Sequence, residues 1–241
     1  MRPRGDGLSK VGLLQLDPTV GDLEQNSHRL ARLAKQAEAA GAALGVSTEL
    51  AVCGYPPRDL LMERDFVERS MDVALNIPTD LPVLVGTPIP AEDDRTLPTN
   101  GVVRAGPQVA TITGDEHSRI VAEKQLLPTY DVFDEARYFA AKNRSGLARS
   151  IGGLTLGVTV CEDAWQSSGM TPSSYAQDPI EHIAGWCRQG VEINATVNLS
   201  ASPFHTDKFT TRLEVARHAA SVLNHPFLLA NQVGGNDDLL F

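Results

Sequence analysis

A cysteine follows an apolar run near the middle of this 241-residue sequence. Leu154–Val160 has the composition of a buried strand, and Cys161 comes directly after it, next to Glu162 and Asp163. A thiol becomes a nucleophile when a base accepts its proton and a positive charge lies nearby. Covalent catalysis is therefore predicted if such groups converge on Cys161. By itself, a free cysteine at the end of a strand is more often a small apolar core residue.

Two further residues that could take part in this chemistry also follow apolar runs. Glu49 comes after the run Ala43–Thr48, and Lys124 comes shortly after Ile120–Ala122. Sites in α/β folds collect at the carboxyl ends of strands, so we expect the three side chains to meet. Glu49 would then accept the thiol proton and return it to a leaving amine. Lys124, with a backbone N–H, would stabilise a tetrahedral oxyanion.

Alternating elements position these residues. Strands are also predicted at Val11–Leu16, Pro82–Ile89, Glu192–Leu199 and Phe227–Ala230, with a hairpin of Gly101–Arg104 and Gln108–Thr113. Helices are predicted from a cap at Asn26 or Ser27 up to Gly41, and at about Asp59–Met71, Asp178–Gln189 and Asp207–Leu223. This alternation predicts an α/β sandwich with parallel and antiparallel strand pairs, in one domain that spans residues 1–241.

Composition argues against several functional classes. The net charge of -9 and the lack of a basic stripe argue against nucleic acid as a partner. No run approaches the roughly 18 apolar residues of a membrane span, and no secretory signal precedes the first strand. Cys53, Cys161 and Cys187 form no disulfide pattern, which predicts a reducing, cytoplasmic setting. No metal-binding motif is present, so no metal site is expected.

Five segments carry a family resemblance that extends from Val11 to Phe241. They read, in order, TELAVCGYPPRDLL, EKQLLPTYDVFDEARYF, VTVCEDAWQ, NLSASPFHTDKFTTR and NQVGGNDDLLF. In these segments the sequence resembles the nitrilase superfamily of carbon-nitrogen hydrolases, and within it the glutaminase domain of glutamine-dependent NAD synthetases. The Gly-Tyr-Pro-Pro and Lys-Gln-Leu-Leu-Pro runs are more diagnostic than the three separate candidate residues. Ser47-Thr48 replaces the commoner Thr-Pro of the family, a mild change that should leave Glu49 in place.

The resemblance implies a four-layer α-β-β-α sandwich and an activity. That activity is hydrolysis of the glutamine side-chain amide through a thioester on Cys161, which supplies ammonia for NAD synthesis from deamido-NAD. Glu49, Lys124 and Cys161 match the family's catalytic triad. Glu135 matches an additional glutamate near the nucleophile, and it could either handle a proton or orient Lys124.

A substrate pocket is also implied by the resemblance. Glutamine carries an α-ammonium and an α-carboxylate, so its pocket needs an acid and a base beyond the triad, and Glu162 and Lys208 could serve. Tyr130 and Phe133 would exclude water. Ser202, from the same segment as Lys208, would complete the pocket.

The sequence departs from the family pattern in two ways. It has no Ser-Gly-Gly-x-Asp-Ser pyrophosphate loop, so we expect no synthetase domain and no cofactor here, with ATP and magnesium belonging to the absent domain. A separate NAD synthetase domain or subunit would then accept the ammonia. The family pattern also adds strands after the last segment, which leaves open whether the sandwich lacks its C-terminal strands.

Other functions stay open at this stage. The chain could be a self-standing amidase that acts on other short amides, or a non-catalytic remnant that only binds a partner. The superfamily resemblance also suggests assembly into a homo-oligomer.

Overall fold

Two β-sheets lie face to face at the centre of the fold. The computed structural model describes residues 9–93, 95–106, 119–143 and 146–241. The strands of the first sheet, in spatial order, are β1 (Lys10–Leu14), β2 (Ala42–Ser47), β3 (Val83–Ile89), β4 (Thr99–Ala105) and β5 (Ile120–Glu123). The first three strands are parallel, and β4 is antiparallel to both of its neighbours. Strands β2 and β5 therefore point the same way and end at the same edge.

The second sheet also has parallel strands at its centre. Its strands, in spatial order, are β6 (Gly146–Ile151), β7 (Leu154–Val160), β8 (Ala195–Ser200) and β9 (Phe227–Asn231). Strand β6 is antiparallel to β7, whereas β7, β8 and β9 are parallel. A short antiparallel pair follows, β10 (Gly235–Asn236) with β11 (Leu239–Leu240). The carboxyl ends of β7 and β8 therefore lie side by side.

Helices cover the outer face of each sheet. They are α1 (Leu23–Ala39) and α2 (Arg64–Leu75) on the first sheet, and α3 (Pro179–Arg188) and α4 (Lys208–Leu223) on the second. Side chains such as Val46 and Leu84 from one sheet pack against Val158 and Val197 from the other. Burying each such side chain stabilises the fold by about 1.5–3 kcal/mol. The predicted α-β-β-α sandwich is confirmed.

The first helix begins earlier than predicted. Asp22, and not Asn26 or Ser27, is the N-cap residue, because its side chain accepts a hydrogen bond from the Gln25 N–H. Asn26 instead lies within α1 and is fully buried. Its side chain bonds to the backbone of the preceding loop and of the segment that follows Glu49. The predicted cap at Asn26 or Ser27 is therefore wrong, and the N-cap is Asp22.

One further predicted element is divided, one strand is new, and one predicted strand is not tested. The helix predicted at Asp59–Met71 is divided into a short 3-10 turn, Arg58–Met62, and α2, because Glu63 has extended backbone angles. Strand β6 was not predicted. Strand β4 pairs with β3 and β5, and the proposed hairpin strand Gln108–Thr113 lies outside the described residues. Across the part of the chain that the structure describes, every helix is too short or too polar to cross a membrane.

Candidate active site

Three strand ends bring Glu49, Lys124 and Cys161 together between the two sheets. Lys124 and Cys161 directly follow β5 and β7, and Glu49 lies two residues beyond β2. The Lys124 Nζ atom is 2.7 Å from Glu49 Oε1. Burial and the charge of Glu49 raise the pKa of the Cys161 thiol, whereas the Lys124 ammonium lowers it. Glu49 and Lys124 are therefore in direct contact, and both act electrostatically on the Cys161 thiol.

The Glu49 carboxylate is held from both sheets. Asn100 Nδ2, on β4, donates a 2.8 Å hydrogen bond to Oε1, and the Ala201 N–H, at the end of β8, donates a 2.9 Å bond to Oε2. The turn that carries Glu49 passes so close to β3 that a Cβ at Gly86 would lie 2.4 Å from the Thr48 carbonyl oxygen. Only glycine leaves room for this turn. Asn100 was missed by sequence reasoning.

Lys124 lies between two carboxylates. Besides Glu49, its Nζ atom contacts Glu135 at 2.7 Å to Oε2 and 2.8 Å to Oε1. Lys124 is fully buried, which disfavours its charge, but the two carboxylates outweigh that effect and raise its pKa well above the usual range. The Lys124 ammonium therefore stays charged.

Glu135 is placed to orient the ammonium. It belongs to a short 3-10 turn, Glu135–Arg137, and its Oε1 atom accepts a 2.8 Å hydrogen bond from the Tyr55 hydroxyl. Burial raises the pKa of Glu135, Lys124 lowers it and Glu49 raises it, with a result of about 7. Contacts to Lys124 favour an orienting role, while a pKa near neutrality keeps a proton-handling role open. Tyr55, in the Gly-Tyr-Pro-Pro run, was not singled out from the sequence.

The backbone at Cys161 is strained. Its φ of 42° lies in the left-handed region, which residues with a Cβ enter at a cost of about 1–3 kcal/mol. A short 3-10 turn, Cys161–Ala164, begins there, and Asn198 Nδ2 donates a 3.2 Å hydrogen bond to the Cys161 carbonyl. The sharp turn presents the thiol at the strand end. Because its pKa is raised, the thiol is neutral at rest and needs a base to become a nucleophile.

A cavity of about 220 Å³ opens next to the thiol. Cys161 forms part of its lining, together with all five residues that the sequence proposed for a substrate pocket: Tyr130, Phe133, Glu162, Ser202 and Lys208. The structure therefore brings the proposed pocket and the proposed nucleophile to one site.

Hydroxyl groups surround the Glu162 carboxylate in this cavity. Tyr130 OH lies 3.0 Å from both carboxylate oxygens, Thr171 Oγ1 donates at 2.6 Å and Tyr175 OH donates at 3.2 Å. These hydroxyl groups hold the Glu162 carboxyl group in place at the cavity wall. Thr171 and Tyr175 were not predicted from the sequence, because hydroxyl residues in a loop form no recognisable sequence motif.

A cation lies at the mouth of the same cavity. Lys208 Nζ is 4.4 Å from the centre of the Trp165 ring, and burial lowers the pKa of Lys208. Ser202 is fixed by its N–H, which donates a 2.9 Å bond to Asn231 Oδ1. Phe133 contacts Tyr130 edge to face, with ring centres 5.4 Å apart. The cavity thus offers one negative and one positive group beside aromatic walls.

The chemistry that this arrangement can perform is nucleophilic attack with proton transfer. The Cys161 thiol lines the cavity, and the buried pair of Glu49 and Lys124 acts electrostatically on that thiol from between the sheets. Within residues 9–93, 95–106, 119–143 and 146–241, no group of three or more His, Cys, Asp or Glu side chains is placed to hold a metal ion.

Comparison with known proteins matches almost the whole chain. Residues 10–241 match the carbon-nitrogen hydrolase family. The glutamine-dependent NAD(+) synthetase of Synechocystis sp. is 37% identical over 237 residues, which cover 96% of this chain and 40% of that protein. The enzyme of the same name from Thermotoga maritima is 32% identical and likewise covers 96% of this chain and 37% of its own length. The chain thus spans about two fifths of the length of these relatives.

Solved structures show the same architecture. The glutamine-dependent NAD+ synthetase of Acinetobacter baumannii, in complex with ADP, superposes with a TM-score of 0.76 at 25% identity, over 96% of this chain and 39% of that one. An amidase of the nitrilase superfamily from Nesterenkonia superposes with a TM-score of 0.68 at 17% identity, over 96% of this chain and 79% of that one. The fold of this chain is therefore the nitrilase fold.

Proposed function

The chain belongs to the carbon-nitrogen hydrolase family, and from that membership we propose that it hydrolyses the side-chain amide of L-glutamine to glutamate and ammonia. One observation carries the proposal: the cavity beside Cys161 is lined by both an anion, Glu162, and a cation, Lys208. A simple aliphatic amide needs neither group. A free amino acid amide needs both, one for its α-ammonium and one for its α-carboxylate.

In the proposed first step, Cys161 attacks the amide carbon. Glu49 accepts the thiol proton as the C–S bond forms, and the carbonyl π electrons move to the oxygen. Lys124, with a backbone N–H, stabilises that oxyanion. Collapse of the tetrahedral intermediate breaks the C–N bond, and Glu49 returns the proton to the departing ammonia. A glutamyl thioester on Cys161 remains.

Water completes the proposed reaction. Glu49 removes a proton from a water molecule, which attacks the thioester carbon, and the second tetrahedral intermediate expels the thiolate. The proton returns to the sulfur, and glutamate leaves. Because every step uses only these side chains and water, we propose that the chain needs no cofactor for this reaction.

We also propose a destination for the ammonia. The relatives are named glutamine-dependent NAD(+) synthetases, and this chain matches about two fifths of their length. A synthetase domain or subunit that makes NAD from deamido-NAD would accept the ammonia, and ATP and magnesium would act there. Homo-oligomer formation stays a prediction, which sedimentation velocity tests.

An ammonia assay tests the proposed function. Glutamine, asparagine and a short aliphatic amide are compared as substrates. Acid-quenched samples are digested with trypsin, and mass spectrometry detects a glutamyl adduct on the peptide that contains Cys161. We expect release from glutamine to exceed release from the other two and the adduct to be present. Preferential turnover of the short amide would instead identify a self-standing amidase. No release from any substrate, with the fold intact, would identify a binding protein.

A further inference from the structure

The acidic residue two positions after the candidate nucleophile has no role in the proposed reaction, yet its contacts are unusual. We propose that Asp163 is a positioning residue, which holds the turn that carries Cys161 against the segment that carries Lys124. Through these two residues it sets where the thiol lies relative to the ammonium. The proposal rests on the proposed function only in taking Cys161 as the reactive group.

Asp163 bonds to backbone on both sheets. Its Oδ1 atom accepts hydrogen bonds of 3.0 Å from the N–H groups of Gln125 and Leu126, which directly follow Lys124 at the end of β5. Its Oδ2 atom accepts a 3.1 Å bond from the Val160 N–H, which directly precedes Cys161 at the end of β7. One carboxylate thereby links the two strand ends whose next residues are the candidate catalytic groups.

Capping of the short 3-10 turn at Cys161 explains only part of this geometry. A cap of that turn requires the bond from the Val160 N–H. The bonds from Gln125 and Leu126 come from the other sheet and satisfy nothing in the turn. They instead join the segment after Lys124 to the turn that begins at Cys161, where groups from both sheets would act together.

The chemistry of this link requires a carboxylate. All three partners of Asp163 are N–H donors, so both of its oxygens must accept. An asparagine amide in the same place has only one acceptor atom, and its NH₂ group would face either the Val160 N–H or the pair from Gln125 and Leu126. Asp163 is 2% exposed, so water cannot compensate for the lost bond.

The test compares D163N with D178N. Asp178 at the start of α3 also accepts two backbone N–H bonds, from Ile180 and Glu181, but it does not touch the candidate site. Both bonds to Asp178 reach Oδ1, which asparagine keeps, so D178N controls for removal of a carboxylate charge without loss of a hydrogen bond. Burial raises the pKa of Asp163 to about 7, so all measurements are made at pH 8 or above, where the carboxylate form dominates.

Two measurements report on the position of the Cys161 thiol. The first is kcat and KM for ammonia release from glutamine. The second is the rate of iodoacetamide alkylation of Cys161 between pH 8 and 10, quantified on its tryptic peptide so that Cys53 and Cys187 do not interfere. The alkylation rate does not depend on the identity of the substrate, so it decides the proposal even if glutamine is not hydrolysed.

We expect D163N to lower kcat by about tenfold or more, since small misplacements of reacting groups carry penalties of that size, while KM stays within about twofold. The alkylation profile should shift in pH, because the thiol would lie at a changed distance from the ammonium. D178N should keep both wild-type values. Equal kcat values and superimposable alkylation profiles for D163N and the wild type would overturn the proposal, whatever their melting temperatures.

A second variant covers the case in which D163N does not fold. D163E keeps both acceptor oxygens on a side chain one methylene longer, so it should fold while displacing one strand end from the other. We expect its kcat and its alkylation profile to change in the same direction as those of D163N, by a smaller factor. Wild-type behaviour of D163E on both readouts would count against a positioning role.

Discussion

The two halves of the candidate site are built in different ways. The charged cluster of Glu49, Lys124 and Glu135 is at most 4% exposed, and strand ends of both sheets hold it. The pocket is made by loops, the 3-10 turn at Cys161 and the start of α4: Tyr130 and Lys208 are half-buried, and hydroxyl groups rather than sheet backbone surround the Glu162 carboxylate. Reactivity is thus placed on the rigid part of the fold and recognition on the adaptable part.

This contrast has an energetic consequence. Charges buried between the sheets depend on one another, because removing one partner leaves the others without compensation in a medium of low polarity. In the pocket, Tyr130 and Lys208 lie nearer to solvent, and Glu162, although 3% exposed, is held by hydroxyl groups and not by an opposite charge. Substitutions in the cluster should therefore affect kcat and stability, whereas substitutions in the pocket should affect KM and substrate preference.

The largest effect is expected for the nucleophile. C161A should reduce ammonia release from glutamine by about 10³-fold or more, because no other group can form the acyl intermediate. The measurement is a coupled ammonia assay at saturating glutamine. The half-buried Cys187 of α3 provides the control, and C187A should keep wild-type activity. Loss of activity in both variants would point to damage of the fold instead.

Removal of the buried cation should cost the most stability. K124M leaves Glu49 and Glu135 facing each other without a counter-charge, so we expect the free energy of unfolding to fall by about 3–5 kcal/mol. Urea denaturation followed by circular dichroism measures it. R64M breaks an exposed pair with Glu68, 2.7 Å apart, and should cost at most about 1 kcal/mol. Similar losses of unfolding free energy in both variants would contradict the larger contribution expected from the buried cluster.

In the pocket, the expected effect is on binding. E162Q removes the negative charge that would meet the α-ammonium, so KM for glutamine should rise by about tenfold or more while kcat changes little. Steady-state kinetics with glutamine and with a short aliphatic amide measure the change in preference. E181Q, on the exposed face of α3, is the control. A fall in kcat at unchanged KM would instead show that Glu162 acts in the chemical step and not in substrate binding.

The smallest effect concerns stability and pH. Because the pKa of Glu135 is raised from 4.5 to about 7, the folded state keeps this proton between those values while the unfolded state releases it. Stability should therefore fall as pH rises through that window, by at most about 1.4 kcal/mol per pH unit from this group. E135Q should flatten that part of the slope, whereas E68Q should not. Parallel slopes for E135Q and the wild type would contradict the raised pKa.

Much of the fold could be predicted from the chain. Alternating apolar runs and helical periodicity indicated the strands at Leu154–Val160 and Pro82–Ile89 and the helix at Asp207–Leu223, because burial of one face imposes a local period. The start of α1 was wrong because several polar residues could each cap it, and the contacts of Asn26 with distant backbone decided the choice. Strand β6 was missed because Gly146–Ile151 alternates weakly, and in the described part of the chain it pairs with β7.

Some residues of the candidate site could be predicted from the sequence and others could not. Glu49, Lys124 and Cys161 were visible because each follows an apolar run, and the pocket residues were visible through motif resemblance. Asn100 and Thr171 were not visible, because an amide on a central strand and a hydroxyl in a loop acquire a role only from what they touch. Their partners lie 51 and 9 residues away along the chain.

The sequence by itself determined the layers of the sandwich, the family and the identity of the candidate nucleophile, because hydrophobic period and motif are properties of contiguous residues. Only the tertiary structure decided that Lys124 lies between two carboxylates, that hydroxyl groups surround Glu162 and that Asp163 joins two strand ends. Those facts depend on how the two sheets meet. Hydrogen bonds and charge interactions act over a few ångströms in space, whatever the separation of the residues along the chain.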